Sequence, residues 1–292
     1  MATVDLLTAP APSDTAGRTA AARRIPPVGV LVALTFLVLV VLVIAFPGLF
    51  SNAGPLYADP LHVFQKPSGQ HWLGTDQLGR DVYSRILYGA RYSIFIGAAA
   101  TAIAVTVGVV VGLVAGLGGK ITDEIATRLL DVIAAFPGIL LAIVLITIVG
   151  RGIPTLIVAL GLWSVPRYAR IVRAETQVVR ESGFVEQAVT FGLRRRTLIA
   201  RHVLPHAVRS IPILATMGLG YSILAASSLS FLGLGAQPPS PEWGAMLSDG
   251  RNYVDNAWWI SVFPGIAIVL VVLAVSTVGR YLQRRLENRD LV

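Results

Sequence analysis

Long apolar segments constrain this chain more than any other feature of its sequence. Residues 28–46 form a run of 19 residues without a charge, and a helix of that length crosses a hydrocarbon core of about 30 Å. Charged residues make up 14% of the whole chain, whereas soluble domains carry about 25%. The chain is therefore predicted to be an all-α polytopic membrane protein.

Six segments have the length and apolarity of membrane spans. They are predicted at residues 28–46, 92–117, 129–149, 155–172, 211–234 and 258–278. A charge at the centre of a membrane helix costs about 2.5–3.5 kcal/mol on insertion scales. The spans are nearly free of such groups, except that the fourth carries Arg167 and Arg170 towards its end. A cleaved signal peptide is an alternative for the first span, but the apolar run exceeds the usual length of about 7–15 residues.

Basic side chains are distributed unequally between the connecting segments. With the N-terminus inside, 18 Lys and Arg residues fall in cytoplasmic segments and 6 in external ones. Because positive charge is retained on the cytoplasmic side, both termini are predicted to be cytoplasmic. This topology also explains the net charge of +8 without a nucleic-acid partner. Four regions are predicted: a disordered cytoplasmic tail (1–27), the first span with an external loop (28–90), the main transmembrane domain with a cytoplasmic loop at 173–210 (91–285), and a C-terminal cytoplasmic tail (286–292).

Several kinds of chemistry are excluded by what the sequence lacks. The chain has no cysteine, so disulfides and thiolate sites cannot form. Gly118-Gly119-Lys120 lacks the upstream glycine of a phosphate-binding loop. His202 and His206 are four residues apart and could hold a metal, but a structural role is preferred because other ligands are scarce. No catalytic residue, metal site or cofactor is therefore expected in this chain, and it is not predicted to be an enzyme.

Small residues and one proline shape the predicted spans. Gly108 and Gly112 lie four apart in the second span and would let another helix approach closely, either within the subunit, which is preferred, or from a second subunit. Pro137 should kink the third span, because it removes a backbone hydrogen bond. Ser227, Ser228 and Ser230 place small side chains in the fifth span, as a close helix contact requires.

Two groups of residues are predicted to lie on the external side. Asp76, Arg80, Asp81 and Arg85 are spaced for ion pairs on an external helix, and solvent-facing salt bridges of little weight are the alternative. Trp258 and Trp259 begin the last span. Their presence is explained by the preference of tryptophan for the headgroup region of the membrane.

The loop at 173–210 has its own helical pattern. Ser182 can cap a helix at 183–191, and Gly192 can end it in a left-handed conformation. Phe184, Ala188 and Phe191 form one apolar stripe on that helix. A second helical stretch follows, rich in arginine (Arg194, Arg195, Arg196 and Arg201), and runs to Leu204-Pro205. Such a helix either lies on lipid headgroups or inserts into a soluble partner.

This loop resembles the "EAA" loop of bacterial ABC importer permeases. Glu186-Gln187-Ala188, Gly192 and Leu204-Pro205 carry the resemblance. It departs from the family pattern at Gln187, at His202 and in the extra arginines. The resemblance implies that the loop docks into a groove of an ATPase subunit. The implied contact residues are Phe184, Glu186, Gln187, Ala188, Gly192, Leu204 and Pro205.

Two further segments are similar to permeases of the dipeptide, oligopeptide and nickel group. The first runs from Gly74-Thr75-Asp76 to Ser93, and the second runs from Ser228 to Leu247. The match covers residues 70–285 and fits the "C"-type permease of dipeptide and oligopeptide importers best. It implies the type I transmembrane fold, a bacterial inner-membrane location, and a path for peptides lined or joined by Ser227, Ser228, Ser230, Gly108 and Gly112.

The resemblance also implies partners. They are a second homologous permease, two ATPase subunits or one fused ATPase that bind ATP and Mg²⁺, an external substrate-binding protein, and membrane lipid. Nickel or another small solute is the alternative cargo. An ion-coupled secondary transporter or channel is disfavoured because no Asp, Glu, Lys or His lies deep in a span. A structural membrane scaffold without transport activity is the remaining alternative.

Overall fold

The computed structural model describes residues 26–287, and this part of the chain is almost entirely helical. Within it there is no β-strand, and one isolated bridge joins Thr75 and Asp81. The predicted tails at 1–27 and 286–292 lie mostly outside the described residues. The helices are α1 (Val28–Ala45), α2 (Val82–Leu117), α3 (Lys120–Ala135), α4 (Gly138–Val149), α5 (Ile153–Arg180), α6 (Gly183–Thr190), α7 (Arg195–Leu198), α8 (Leu204–Ala207), α9 (Ile211–Phe231), α10 (Trp243–Gly250), α11 (Val254–Ala257) and α12 (Trp259–Glu287). A π-helical segment, Ile199–Val203, joins α7 to α8, and 3-10 turns lie at Pro47–Leu49, Pro60–His62 and Arg251–Tyr253.

Five of the described helices are long and apolar enough to cross a membrane: α1, α2, α5, α9 and α12. Helices α3 and α4 pass the same test only as a pair, and they meet at an angle of 90°. If the bent pair counts as one span, the described residues contain six crossings. The break between α3 and α4 falls at Phe136 and Pro137, so the predicted kink is confirmed. Helix α4 has 12 residues and spans about 18 Å, which is too short to cross alone.

Helices α2 and α5 make the most extensive helix–helix contact in the described chain. A Cβ atom at Gly108 would lie 2.6 Å from Cβ of Tyr168, and one at Gly112 would lie 2.6 Å from the carbonyl oxygen of Ala169. No side chain fits at either distance, so glycine lets the two backbones approach. The smallness of Gly108 and Gly112 is thus accounted for by packing within the subunit.

Helix α10 packs between α9 and α12, at the end of the molecule opposite the 181–210 segment. Its N-cap is Glu242, whose buried carboxylate accepts the N–H groups of Gly244 (2.9 Å) and Ala245 (2.8 Å). The hydroxyl of Ser93 on α2 donates to the same carboxylate at 3.1 Å. Burial raises the pKa of Glu242, and the backbone hydrogen bonds oppose that effect. This carboxylate therefore joins α10 to α2 while it caps α10.

A group of buried charges lies at the same end, where the segment before α2 meets α10. The side chains of Asp76 and Arg80 are 3% and 4% exposed, with 2.6 Å between Asp76 Oδ2 and Arg80 Nε. Arg85 Nε lies 3.6 Å from the same oxygen, and its side chain is 2% exposed. Burial raises the pKa of Asp249 on α10, while the charges of Arg85 and Arg80 lower it. We call these four residues the charge cluster.

The predicted ion pair between Asp76 and Arg80, four residues apart, is confirmed, but residues 76–81 are not helical and the solvent-facing alternative is wrong because the pair is buried. Asp76 accepts the backbone N–H groups of Leu78 (2.9 Å) and Arg80 (3.0 Å), which folds the segment into a tight turn instead of a helix. Helix α2 starts only after Asp81, whose carboxylate accepts the N–H of Ser84 at 2.7 Å as an N-cap. The turn meets α12, where the indole N–H of Trp259 donates to the carbonyl oxygen of Thr75, and α10, where Asp249 interacts electrostatically with Arg80 and Arg85.

The two tryptophans at the start of the last span have different environments. Trp258 is 48% exposed, as expected of a side chain at a membrane interface. Trp259 is 1% exposed, and its indole N–H donates to the carbonyl oxygen of Thr75 at 3.0 Å. The interface interpretation is therefore wrong for Trp259, which fastens α12 to the turn before α2.

Candidate functional site

Helix α6 is the short helix predicted between the fourth and fifth spans. Its N-cap is Ser182, but the serine hydroxyl donates to the carbonyl oxygen of Val179 and does not cap the helix. The helix ends at Gly192, which has φ of +75°. The N–H groups of Gly192 and Leu193 donate to the carbonyls of Val189 (2.9 Å) and Ala188 (3.1 Å), which is a Schellman motif. The predicted helix and its left-handed end are confirmed.

One face of α6 is held against the rest of the subunit. Val185 and Ala188 are 4% and 7% exposed, and Val185 packs with Val179 and Val203. Ala188 is therefore turned inward and is not available at the surface, unlike the other two members of the predicted apolar stripe. Those two members, Phe184 and Phe191, are 42% and 82% exposed.

The rest of α6 is exposed and carries both apolar and polar side chains. Val189 is 57% exposed, and it lies between the exposed side chains of Phe184 and Phe191 in sequence. Glu186 and Gln187 are exposed on the same helix. The Phe184 ring also contacts the His206 ring, with 5.2 Å between their centroids. Apolar side chains gathered on a polar connection are typical of a protein-binding surface.

A second helical stretch from α7 to α8 completes the connection between α5 and α9. Its four arginines are exposed: Arg194, Arg195, Arg196 and Arg201. Leu204 is half-buried and Pro205 is exposed. The His206 ring contacts the carbonyl oxygen of His202 through Nδ1 at 2.7 Å. Among residues 26–287 no group of three or more His, Cys, Asp or Glu side chains is placed to hold a metal ion.

Polar contacts tie this connection to the ends of α2 and α3. Arg180 donates to the carbonyl oxygen of Gly116 at 3.1 Å, and Arg195 donates to that of Leu117 at 3.3 Å. Arg173 on α5 forms a bidentate ion pair with Asp123 on α3. The end of α5 and the segment that follows α6 are thus joined to α2 and α3 by polar contacts.

The three serines predicted to line a path have different positions on α9. Ser227 and Ser230 are 4% and 1% exposed, and both lie against Gly244 of α10. Ser228 is exposed, and its hydroxyl donates to the carbonyl oxygen of Leu224 at 2.9 Å. Ser228 is thus the only one of the three at the surface of the subunit.

The exposed face of α9 also includes residues that were not among the predicted site residues. Leu224 and Tyr221 are 48% exposed and lie on the same face as Ser228. The Tyr221 ring is 5.4 Å from the ring of Trp163 on α5. Helix α5 extends to Arg180, so Arg167 lies in its middle and not near its end. An arginine inside a hydrophobic helix is the sequence feature that indicates a functional role for this region.

The long apolar helices, the break at Pro137 and the short helices α6 to α8 between α5 and α9 together define a multi-pass membrane domain. The chain belongs to the family described as binding-protein-dependent transport system inner membrane component, which matches residues 108–289. It is a permease of the ABC importer class and resides in the bacterial inner membrane as a multi-pass protein.

Curated relatives of this chain are peptide-type permeases. The glutathione transport system permease protein GsiD of Shigella flexneri is 48% identical over 233 residues, which cover 80% of this chain and 77% of that protein. The dipeptide transport system permease protein DppC of Alkalihalophilus pseudofirmus is 37% identical over 285 residues, which cover 98% of this chain and 92% of that protein. The resemblance seen in the motifs is thereby confirmed.

Solved structures with the same fold are also ABC transporters. The MetNI methionine ABC transporter in an inward-facing conformation matches with a TM-score of 0.55 and 17% identity, over 69% of this chain and 95% of that chain. An amino acid ABC transporter matches with a TM-score of 0.55 and 16% identity, over 70% of this chain and 94% of that chain. Identities this low show the fold alone, and the predicted ABC importer fold is confirmed.

Proposed function

We propose that this permease carries small peptides inward across the membrane as one half of a two-permease path. The support is the pair of curated relatives, whose names specify glutathione and dipeptide transport. A second, homologous permease would form the other half. An external binding protein would deliver the cargo, and two ATPase subunits or one fused ATPase would bind ATP and Mg²⁺.

The proposed orientation has both termini and the α5–α9 connection in the cytoplasm. The unequal distribution of basic side chains supports it, because the α5–α9 connection holds the densest group of arginines. The charge cluster and α10 would then lie on the external side, where the binding protein docks.

Helix α6 is the proposed contact to the ATPase. The observation that carries this proposal is a helix held from behind by Val185 and Ala188 that exposes Phe184, Val189 and Phe191 to water. Exposure of apolar side chains on an aqueous loop is unfavourable unless a partner covers them. Glu186, Gln187 and Pro205 would lie at the edge of that contact, whereas Ala188, Gly192 and Leu204 would hold its shape.

Coupling follows from this geometry. Closure of the ATPases around ATP would push α6, and the contacts of Arg180 and Arg173 would pass the movement to α2, α3 and α5. The two permeases would then alternate between inward-open and outward-open states. The chain contributes no chemistry to ATP hydrolysis in this scheme.

The test is reconstitution of the complete transporter in liposomes with the binding protein and a labelled dipeptide outside. The proposal expects uptake that requires ATP inside, and no uptake by this subunit alone. Phe191→Asp should abolish uptake and co-purification of the ATPase, because it places a charge in the apolar contact. Leu61→Asp is the matched control for co-purification, since Leu61 is 90% exposed at the opposite end. Uptake by the isolated subunit, or ATPase retention by Phe191→Asp, would overturn the proposal.

A further inference from the structure

A cavity whose lining includes charged and polar side chains lies between α5 and α9, within the length of these two membrane spans. Its volume is about 390 Å³, and its lining includes Trp163, Arg167, Tyr168, Tyr221 and Ser222. Polar groups within a membrane span are costly to insert and mark sites of function. These residues lie outside the segments that carry the family resemblance, at 74–93, 186–205 and 228–247.

The position of the cavity follows from helix geometry. Arg167 is the fifteenth residue of α5, about 21 Å from its first residue, and Ser222 is the twelfth residue of α9, about 17 Å from its first residue. The hydrocarbon core is about 30 Å thick. Both residues therefore lie within the length of a membrane span, well away from the first residue of their helix.

Arg167 brings an uncompensated positive charge to this cavity. The other arginine of the lining, Arg170, is neutralised by Asp131, with 2.8 Å between Arg170 Nη2 and Asp131 Oδ1. The ion pairs and hydrogen bonds among the described residues do not include Arg167, which is exposed on the surface of the subunit. An unpaired guanidinium within a membrane span needs water or an anion beside it.

The lining of the same cavity includes Tyr168, the residue after Arg167, which carries a buried hydroxyl group. The side chain of Tyr168 is 2% exposed, and its hydroxyl has no protein partner among the described residues. A Cβ atom at Gly218 would lie 1.9 Å from that oxygen. The hydroxyl therefore fits only because residue 218 has no side chain. A buried hydroxyl without a partner has lost a hydrogen bond that a ligand could supply.

We infer that Arg167 and the Tyr168 hydroxyl bind a carboxylate of the peptide during its passage through the permease. Both groups are donors, and a guanidinium beside a hydroxyl suits a carboxylate. Trp163 and Tyr221 form an aromatic wall on which the apolar part of the peptide rests. Every peptide with a free C-terminus carries this carboxylate at neutral pH, so the site acts without selecting a sequence. The inference rests on the proposed function.

The test compares Arg167→Gln with wild type in liposomes that hold the complete transporter. We expect uptake of labelled dialanine to fall about tenfold, which corresponds to loss of one charge-assisted hydrogen bond. ATP hydrolysis stimulated by the loaded binding protein should stay within about twofold of wild type, so fewer peptides enter per ATP. Arg167→Lys, which keeps the charge, should recover part of the uptake. Arg128→Gln is the matched control, because Arg128 is exposed and its nearest carboxylate is 3.9 Å away.

The outcomes separate this inference from the proposed function. Absence of ATP-dependent uptake by wild type contradicts the proposed function itself. Wild-type uptake by Arg167→Gln overturns the carboxylate site and leaves the proposed function standing. Loss of the second permease on purification of Arg167→Gln also overturns it, because Arg167 would then serve assembly with that subunit.

Discussion

The two ends of the molecule use charged side chains in opposite ways. In the charge cluster the side chains of Asp76, Arg80 and Arg85 are at most 4% exposed and paired with one another. In the α5–α9 connection the arginines are exposed. Buried charges need fixed partners because desolvation is costly, whereas exposed ones keep their hydration and are available to another protein. The first end is therefore fixed by internal contacts, and the second leaves its charged side chains accessible at the surface.

The largest expected effect belongs to the charge cluster. Asp76→Asn should lower the free energy of unfolding by about 3–5 kcal/mol, because two buried guanidinium groups lose their compensating charge. Denaturant unfolding of the purified subunit in detergent measures it. Asp255→Asn is the control, since Asp255 is exposed on α11 and should change the value by less than about 0.5 kcal/mol. If both variants changed the free energy of unfolding by the same amount, buried charge at the first end would not contribute more to stability than an exposed charge.

An intermediate effect is expected at the end of α6. Gly192→Ala forces an L side chain into a left-handed conformation at φ of +75°, which costs about 1 kcal/mol. Amide hydrogen exchange in residues 183–193 should accelerate about fivefold, while global unfolding changes little. Gly183→Ala, at a position with open space and no positive φ, should not accelerate exchange. Protection unchanged in Gly192→Ala would mean that this turn does not hold α6.

The smallest effect on stability is expected from the exposed arginines. Arg194→Gln combined with Arg196→Gln should change the free energy of unfolding by less than about 0.5 kcal/mol. The same variant should bind the ATPase with a weaker dependence on salt, because exposed charges act on partners through screened attraction. Titration of ATPase binding against salt measures this slope. A large loss of stability would contradict the comparison between the two ends.

Features that depend on neighbouring residues were predictable from the sequence. The break at Pro137 follows from a missing N–H group, and the end of α6 follows from the freedom of Gly192 to adopt positive φ. The spans follow from apolar length, although α2 and α5 begin or end up to ten residues beyond their predicted limits. The extra helical turns at the start of α2 and the end of α5 contain polar residues, so a prediction from hydropathy alone does not include them.

The misread features depend on residues far apart in the chain. Trp259 is buried because its indole N–H meets a carbonyl 184 positions earlier. The cavity beside Arg167 is lined by residues of both α5 and α9, and the turn at Asp76 is joined to α12 by the Trp259 hydrogen bond.

Sequence alone thus determined which segments are long and apolar enough to cross a membrane, where the third of them bends and where α6 ends. Tertiary structure decided which charges are buried, which face of α6 turns inward and where an unpaired arginine meets a cavity. The physical reason is range. Hydropathy and backbone torsion act within one or two turns of helix, whereas burial depends on which distant surfaces come into contact.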